Sequence, residues 1–279
     1  KNWLGLGLAQ GALLWMHNRN VLIVIPFLLI ALWEMKKKEG TWAGEAGKLG
    51  LGFALPVAAL AVYFYALYGV WTPLGAHNEP FESLFHLNHF WTGFFGLIFD
   101  QECGFCFHYP VFALMVTGGA LLWVSGKPLQ KIVPVIFLFY FLSMSFYENL
   151  GLTPNSRYMV GIVPLLLVLI HPAVEVMERK GFAYYSTLLG LFSGVFFNWI
   201  LAAVPWMRYN KLNGENWVLK IAGSYLNMNL TAGAPSFQTP VITWQSYAVG
   251  IFWTVLTIGL TVVYMRNRPP RPVKIRKNL

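Results

Sequence analysis

Long apolar segments separated by short polar connections dominate the chain. Reading along it for stretches close to the roughly 20 residues that cross a bilayer identifies eight, at residues 3–16, 20–35, 49–70, 110–125, 132–147, 158–174, 183–205 and 247–265. The first two and the fourth are short for a crossing. Because only helices and closed barrels satisfy backbone groups inside lipid, the pattern predicts an all-α, polytopic transmembrane helix bundle of about eight spans.

Composition and charge support this fold class. Only 11% of the 279 residues are charged, and the mean hydropathy is +0.54, whereas a soluble domain carries about 25% charged residues. The net charge of +9 would suggest nucleic acid in a soluble protein. When the spans alternate from an inner Lys1, however, the inner loops carry 15 of the 20 Lys and Arg residues. This bias is the one that sets membrane topology, so we expect no nucleic-acid partner.

These segments predict one transmembrane helical domain, residues 1–265, followed by a basic cytoplasmic tail, residues 266–279. Two outer-face loops, 71–109 and 206–246, are long enough to carry function. Within the first loop, residues 81–99 mix phenylalanines with polar residues and predict an interfacial helix. Such a helix either faces membrane lipid or forms a groove for a lipid-linked substrate.

Acidic residues follow this helix, in the motif Asp100-Gln101-Glu102. Carboxylates at the edge of the hydrocarbon are costly unless they are paired or solvated, so Asp100 and Glu102 are candidate site residues. The alternative is structural, namely an ion pair with Arg19 or Arg157, or a helix cap.

Cysteine and histidine residues cluster in the same loop. Cys103 and Cys106 form a C-x-x-C motif, and His86, His89 and His108 lie nearby in the sequence. Two thiolates and two imidazoles could bind zinc, the cysteines could form a disulfide, or they could pack as small apolar side chains.

Basic residues at the outer ends of two spans are candidates for binding a phosphate. His17 and Arg19 lie in a tight turn between the first two spans, and Arg157 precedes the sixth. Arginine forms bidentate hydrogen bonds with phosphate. The alternative for His17 and Arg19 is a polar turn with a snorkelling arginine.

Three short blocks together resemble a known family: Leu14-Trp15-Met16-His17-Asn18-Arg19, then Gly96-Leu97-Ile98-Phe99-Asp100-Gln101-Glu102-Cys103-Gly104 with Tyr109-Pro110, then Ser156-Arg157-Tyr158 with Pro164. In this order they resemble the C-terminal half of bacterial polytopic glycosyltransferases of the GT-C type, which are similar to the dolichyl-phosphate-mannose protein mannosyltransferase group. The resemblance covers roughly residues 5–172.

The resemblance implies sugar transfer from a polyprenyl-phosphate-linked donor at the outer face of a bacterial inner membrane. It implies that His17, Arg19, Asp100, Glu102 and Arg157 shape the donor-phosphate end of a cavity. A general base, often with a divalent metal cation, would lie in an N-terminal half that these residues do not include, so we expect the chain to be part of a longer protein. The alternative is a non-catalytic membrane subunit or scaffold that binds other membrane subunits. A transporter ranks third, because the spans contain few midplane charges.

Overall fold

We analysed a computed structural model of the chain. The structure describes residues 2–37, 40, 42–72, 86–102, 104–126, 130–146, 157–176, 181–204, 215–237 and 243–266. These residues form helices and the connections between them, and no strand occurs among them. The prediction of an all-α fold is therefore confirmed for this part of the chain.

Eleven α-helices occur in the described residues. They are α1 (Trp3–Met16), α2 (Val21–Lys36), α3 (Trp42–Tyr68), α4 (Phe90–Phe99), α5 (Phe105–His108), α6 (Leu114–Ser125), α7 (Ile132–Ser145), α8 (Val163–Glu175), α9 (Phe182–Ala203), α10 (Trp217–Leu226) and α11 (Trp244–Arg266). A helix occupies each of the eight predicted segments. Both long loops also contain helices, namely α4 and α5 in the first and α10 in the second.

Two helical stretches are long and apolar enough to cross a membrane, Trp42–Tyr68 and Trp244–Val263. Shorter apolar helices occur at Trp3–Met16, Pro110–Val124, Ile132–Ser145 and Val163–Glu175. The structure thus supplies two candidate spans, and the count of eight crossings stays a prediction.

The two candidate spans expose most of their apolar side chains. Only 17% of the most apolar stretch of each is buried, whereas the core helix of a soluble protein is mostly buried. Exposed apolar side chains are not confined to these two helices, since Trp33 in α2 and Phe192 in α9 are 65% and 68% exposed. An apolar exterior of this extent suits contact with lipid.

The chain divides into two compact units. The first consists of Lys1–Asn88 with Ile136–Glu148, and the second of His89–Val135 with Asn149–Leu279. Each unit is described by itself below.

Close backbone packing between α1 and α3 organises the first unit. A methyl group on Gly7 would collide with the Leu49 carbonyl oxygen, and one on Gly52 would collide with the Leu4 carbonyl oxygen. Small residues allow this approach, as in other membrane helix pairs. The indole N–H of Trp15 also donates to the Pro56 carbonyl at 2.8 Å. Trp3, Ala31, Met35 and Leu49 form a buried core where α2 joins the pair.

In the second unit, α6 and α8 also pack closely at a glycine. Gly118 in α6 lies against the backbone of Leu169 in α8, so closely that a side chain on Gly118 would collide with the Leu169 carbonyl oxygen. Helix α11 contacts α6 through a hydrogen bond of 2.8 Å between the Thr117 and Thr261 hydroxyls. It also contacts α4, where the Thr92 hydroxyl lies 3.0 Å from that of Tyr247.

Gly52→Ala should destabilise the first unit by about 1–3 kcal/mol, the usual cost of overpacking. Gly50→Ala is the matched control, because no atom lies within 4 Å of its added methyl group. Alanine is a better helix former than glycine, so the control should be neutral or stabilising. Thermal unfolding of the two purified variants tests this, and equal melting temperatures would contradict the packing.

Candidate functional site

Asp100 fixes a turn between α4 and α5 in the second unit. Its side chain is fully buried. One carboxylate oxygen accepts the Glu102 N–H at 2.8 Å, and the other accepts the Phe237 N–H at 2.7 Å. The Asp100 carbonyl accepts the Gly104 N–H at 2.7 Å, and a Cβ on Gly104 would collide with the Asp100 backbone. Asp100 therefore holds its own turn and a distant segment in one arrangement.

Gln101 joins this turn to two other segments of the same unit. Its backbone N–H donates to the Pro235 carbonyl at 3.0 Å, and its side-chain amide donates to the Ala234 carbonyl at 3.2 Å. The Gln101 side-chain oxygen accepts the Asn216 N–H at 3.1 Å, and the Asn216 amide donates to the Gln101 carbonyl at 2.6 Å.

Asn216 carries the connection into α10. Its side-chain oxygen accepts the N–H groups of Val218 and Leu219 at 3.0 and 3.2 Å. Asparagine is a favoured residue at this position because it satisfies donors that the first helical turn leaves free. The start of α10 is thereby held beside the Asp100 turn.

Glu102 and His108 close the other side of the turn. Both side chains are buried, and the His108 Nε2 lies 2.8 Å from the Glu102 carbonyl oxygen. Since a carbonyl only accepts, Nε2 carries the proton and Nδ1 is the unprotonated nitrogen. Nδ1 is buried without a hydrogen-bond partner among the described residues. Burial lowers the pKa of His108 from 6.5 to about 4, against the opposing effect of the Glu102 hydrogen bond.

Residues 235–237 form one wall of a cleft beside the turn. The Phe237 ring is buried, with its centroid 6.0 Å from that of Phe95 in α4 and 5.6 Å from that of Tyr247 in α11. Ser236 is 6% exposed, and its hydroxyl oxygen is buried without a hydrogen-bond partner among the described residues.

We call this cleft the first cleft. It is open and has a volume of about 290 Å³. This is near the lower end of the range for small-ligand pockets. Polar groups that line it are the amides of Gln101, Asn229 and Gln245, the hydroxyls of Thr231, Ser236, Thr243 and Ser246, and the carboxylate of Glu215. No Lys or Arg lines it among the described residues.

A second cleft of about 430 Å³ shares Glu215, Asn229 and Thr231 with the first. It contains a cation, Lys220, whose ammonium group pairs with the Glu215 carboxylate. The same ammonium lies 5.3 Å from the centre of the Trp217 ring. The ion pair of Glu215 and Lys220 therefore lies where the two clefts meet.

The structure distributes the predicted site residues over both units. Asp100 and Glu102 are neighbours in the second unit. His17 and Arg19 belong to the first unit, in the turn between α1 and α2, where the Arg19 N–H donates to His17 Nδ1 at 3.1 Å. Arg157 begins a 3₁₀ turn, Arg157–Ile162, and its side chain lies outside the described residues.

Cysteine and metal chemistry find little support in this part of the chain. Cys106 is a free thiol whose pKa is raised by burial, and Cys103 lies outside the described residues. Within the described ranges, no three His, Cys, Asp or Glu side chains come together as metal ligands. Both Asp100 carboxylate oxygens accept backbone N–H groups.

Comparisons of the chain with protein-family models, with curated proteins and with solved structures find no match. The site must therefore be interpreted from its own chemistry.

Sequence reasoning missed the partners of the Asp100 turn. Asn216 and Ser236 each lie more than 100 positions after Gln101 in the chain, and no spacing rule connects them to it. The sequence contained only weak signs of these contacts. They are the amide Gln101 between two acids at the end of an apolar helix, and the many asparagines in the second outer loop.

Asp100→Asn should destabilise the second unit by about 1–3 kcal/mol, because an amide nitrogen would face a backbone N–H and leave it unsatisfied. Glu175→Gln is the matched control: this acid is 58% exposed and pairs with His171, and surface pairs of this kind contribute little. Thermal unfolding at neutral pH distinguishes the two variants, and equal losses would contradict the role of Asp100.

His108 should make the protein less stable as the pH falls from about 6.5 to about 4. In this window the unfolded chain binds a proton at His108 that the folded chain does not bind, and above it the group contributes nothing. The resulting loss in the free energy of unfolding is at most about 3 kcal/mol. His108→Gln should reduce this slope, whereas His171→Gln serves as an exposed-histidine control. Denaturation at several pH values measures it, and identical slopes for the wild type and His108→Gln would contradict the prediction.

Proposed function

We propose that the chain is a membrane glycosyltransferase, or the C-terminal part of one, that transfers a sugar from a polyprenyl-phosphate-linked donor at the outer face of the membrane. The observation that carries the proposal is a polar cleft within a helical unit that exposes an apolar exterior. A lipid-linked donor has the same two parts, a polar head and a long apolar chain. An enzyme for it needs lipid-facing helices and a polar binding site at the membrane boundary.

The proposed membrane arrangement has eight crossings, with the C-terminus on the cytoplasmic side of a bacterial inner membrane. A helix in each predicted segment supports the number of crossings, and the bias of basic residues supports the orientation. The first and second clefts then lie at the outer face, because α4, α5 and α10 belong to the outer loops. The basic tail, outside the described residues beyond Arg266, would contact anionic lipid headgroups.

In this proposal the chain supplies binding groups. Cations near the outer boundary, Arg19, Arg157 and Lys220, are candidates for the donor phosphate, since arginine and lysine stabilise charge that develops on a departing phosphate. The resemblance also implies that His17 in the first unit and Glu102 in the second take part in donor binding. No residue of this chain is assigned the role of general base, and no step is derived through a metal ion.

A second candidate is a non-catalytic membrane subunit. One observation favours it: Gly44, Gly47 and Gly50 in α3 have no atom within 4 Å of an added methyl group. Small residues on an open helix face suit packing against the helix of another membrane protein.

Cells that lack the protein should accumulate the polyprenyl-phosphate-linked sugar that it consumes, which mass spectrometry of extracted membrane lipids would detect. The native full-length protein should reverse the accumulation. Thr243→Ala, at the rim of the first cleft, should reverse it only in part, because a hydroxyl that lines the site is lost.

Thr257→Ala is the matched control, because Thr257 lies in α11 away from both clefts and bonds to the Trp253 carbonyl of its own helix. This variant should behave as the wild type. Unchanged lipid-linked sugars in the deletion strain would refute the glycosyltransferase. The subunit role would then be supported if a membrane complex is missing from the deletion strain and is not restored by the Gly47→Leu variant.

A further inference from the structure

We infer that the first cleft binds the hydroxyl groups of an uncharged saccharide, and that the Ser236 hydroxyl contacts this ligand in a position set by Asp100. The inference rests on the proposed function for the biological source of the saccharide. Ser236 is then a ligand-binding residue, and Asp100 positions it.

The Ser236 hydroxyl is the first indication of a ligand. Its oxygen is buried without a hydrogen-bond partner among the described residues, although the residue lines the first cleft. Buried polar groups are nearly always hydrogen-bonded, and an unsatisfied one destabilises the fold. A ligand with hydroxyl groups would supply the missing partner, since a serine hydroxyl both donates and accepts.

The backbone on both sides of Ser236 is held firmly. The Pro235 carbonyl accepts the Gln101 N–H, and the Phe237 N–H donates to the Asp100 carboxylate. The Phe237 ring is also buried between α4 and α11. These contacts fix the backbone of Ser236 at the cleft, so rotation about its Cα–Cβ bond is the movement by which the hydroxyl would meet a ligand.

The lining of the cleft selects an uncharged ligand. The side chains of Gln101, Asn229 and Thr231 already bond within the protein. The groups that a ligand would meet are therefore the hydroxyls and the amide of Ser236, Thr243, Gln245 and Ser246, which can donate and accept hydrogen bonds as the hydroxyls of a sugar do. The Glu215 carboxylate pairs with the Lys220 ammonium group, and no Lys or Arg lines the first cleft among the described residues. The first cleft therefore offers no cation of its own to a phosphate group.

Asp100 acts in this site as a positioning residue. Both of its carboxylate oxygens accept backbone N–H groups, so the carboxylate holds the Ser236 segment in place. In this inference Asp100 shapes the cleft indirectly, through the backbone that it holds.

The experiment measures melting temperatures of the purified full-length protein in lipid nanodiscs. The probes are a panel of free monosaccharides at millimolar concentration and, separately, inorganic phosphate. At least one monosaccharide should raise the melting temperature of the wild type. Ser236→Ala should bind that sugar about tenfold more weakly, while its melting temperature without sugar should be equal to or higher than that of the wild type, because a buried unsatisfied hydroxyl is removed.

Ser193→Ala is the matched control, since the Ser193 hydroxyl bonds to the Gly190 carbonyl of its own helix. It should bind the sugar as the wild type does. If no monosaccharide shifts the wild type, if Ser236→Ala binds as well as the wild type, or if phosphate competes with the sugar, the inference is overturned.

A double-mutant cycle tests the positioning role. Asp100→Asn should also weaken saccharide binding, and adding Ser236→Ala to it should cause little further loss, because both changes remove the same contact. Additive losses of affinity, or unchanged saccharide binding by Asp100→Asn, would mean that Asp100 does not act through Ser236, and would overturn the positioning role.

The outcomes also distinguish this inference from the proposed function. If a lipid-linked sugar accumulates in the deletion strain but no saccharide binds to the first cleft, the proposed function is supported and the inference about the cleft is refuted. If a saccharide binds to the cleft but no lipid-linked sugar accumulates, the inference is supported and the glycosyltransferase proposal is refuted.

Discussion

The two hydrogen bonds that the Asp100 carboxylate accepts hold the candidate site together. One closes the turn after α4 and the other holds the Phe237 backbone, 137 positions further along the chain. A buried carboxylate is tolerable only because both oxygens have donors. With this link in place, Gln101 can bridge to Asn216 and to residues 231–235. The first cleft exists because these segments are held beside one another.

Packing in the rest of each unit depends on glycine more than on large side chains. Gly7 with Gly52 in the first unit, and Gly118 in the second, bring helix backbones into direct contact. Lipid is as apolar as leucine, so burial of large side chains drives helix association weakly in a membrane. Close contact and hydrogen bonds such as Thr117 to Thr261 replace it. The large apolar residues are then free to cover the exterior, which explains why so many are exposed.

The two clefts share part of their lining. Glu215, Asn229 and Thr231 border both, and the cation Lys220 borders the second. Because Lys220 pairs with Glu215, one ion pair lies where the clefts meet. A ligand with a charged part and an uncharged polar part could extend from one cleft into the other, and this is the arrangement that we propose for a lipid-linked sugar.

The sequence alone determined the helical class, because period and apolarity act locally and a backbone in lipid has few alternatives. It also marked Asp100 and Glu102, since acids beside apolar helices are costly wherever they lie. Only the tertiary structure decided what those acids do. The partners Phe237, Asn216 and Ser236 come from distant loops, and which N–H meets which oxygen depends on the packing of α4, α10 and α11. Residues that act through such long-range contacts carry no local sequence pattern. Ser236 therefore became a candidate only when the structure showed its buried hydroxyl beside the cleft.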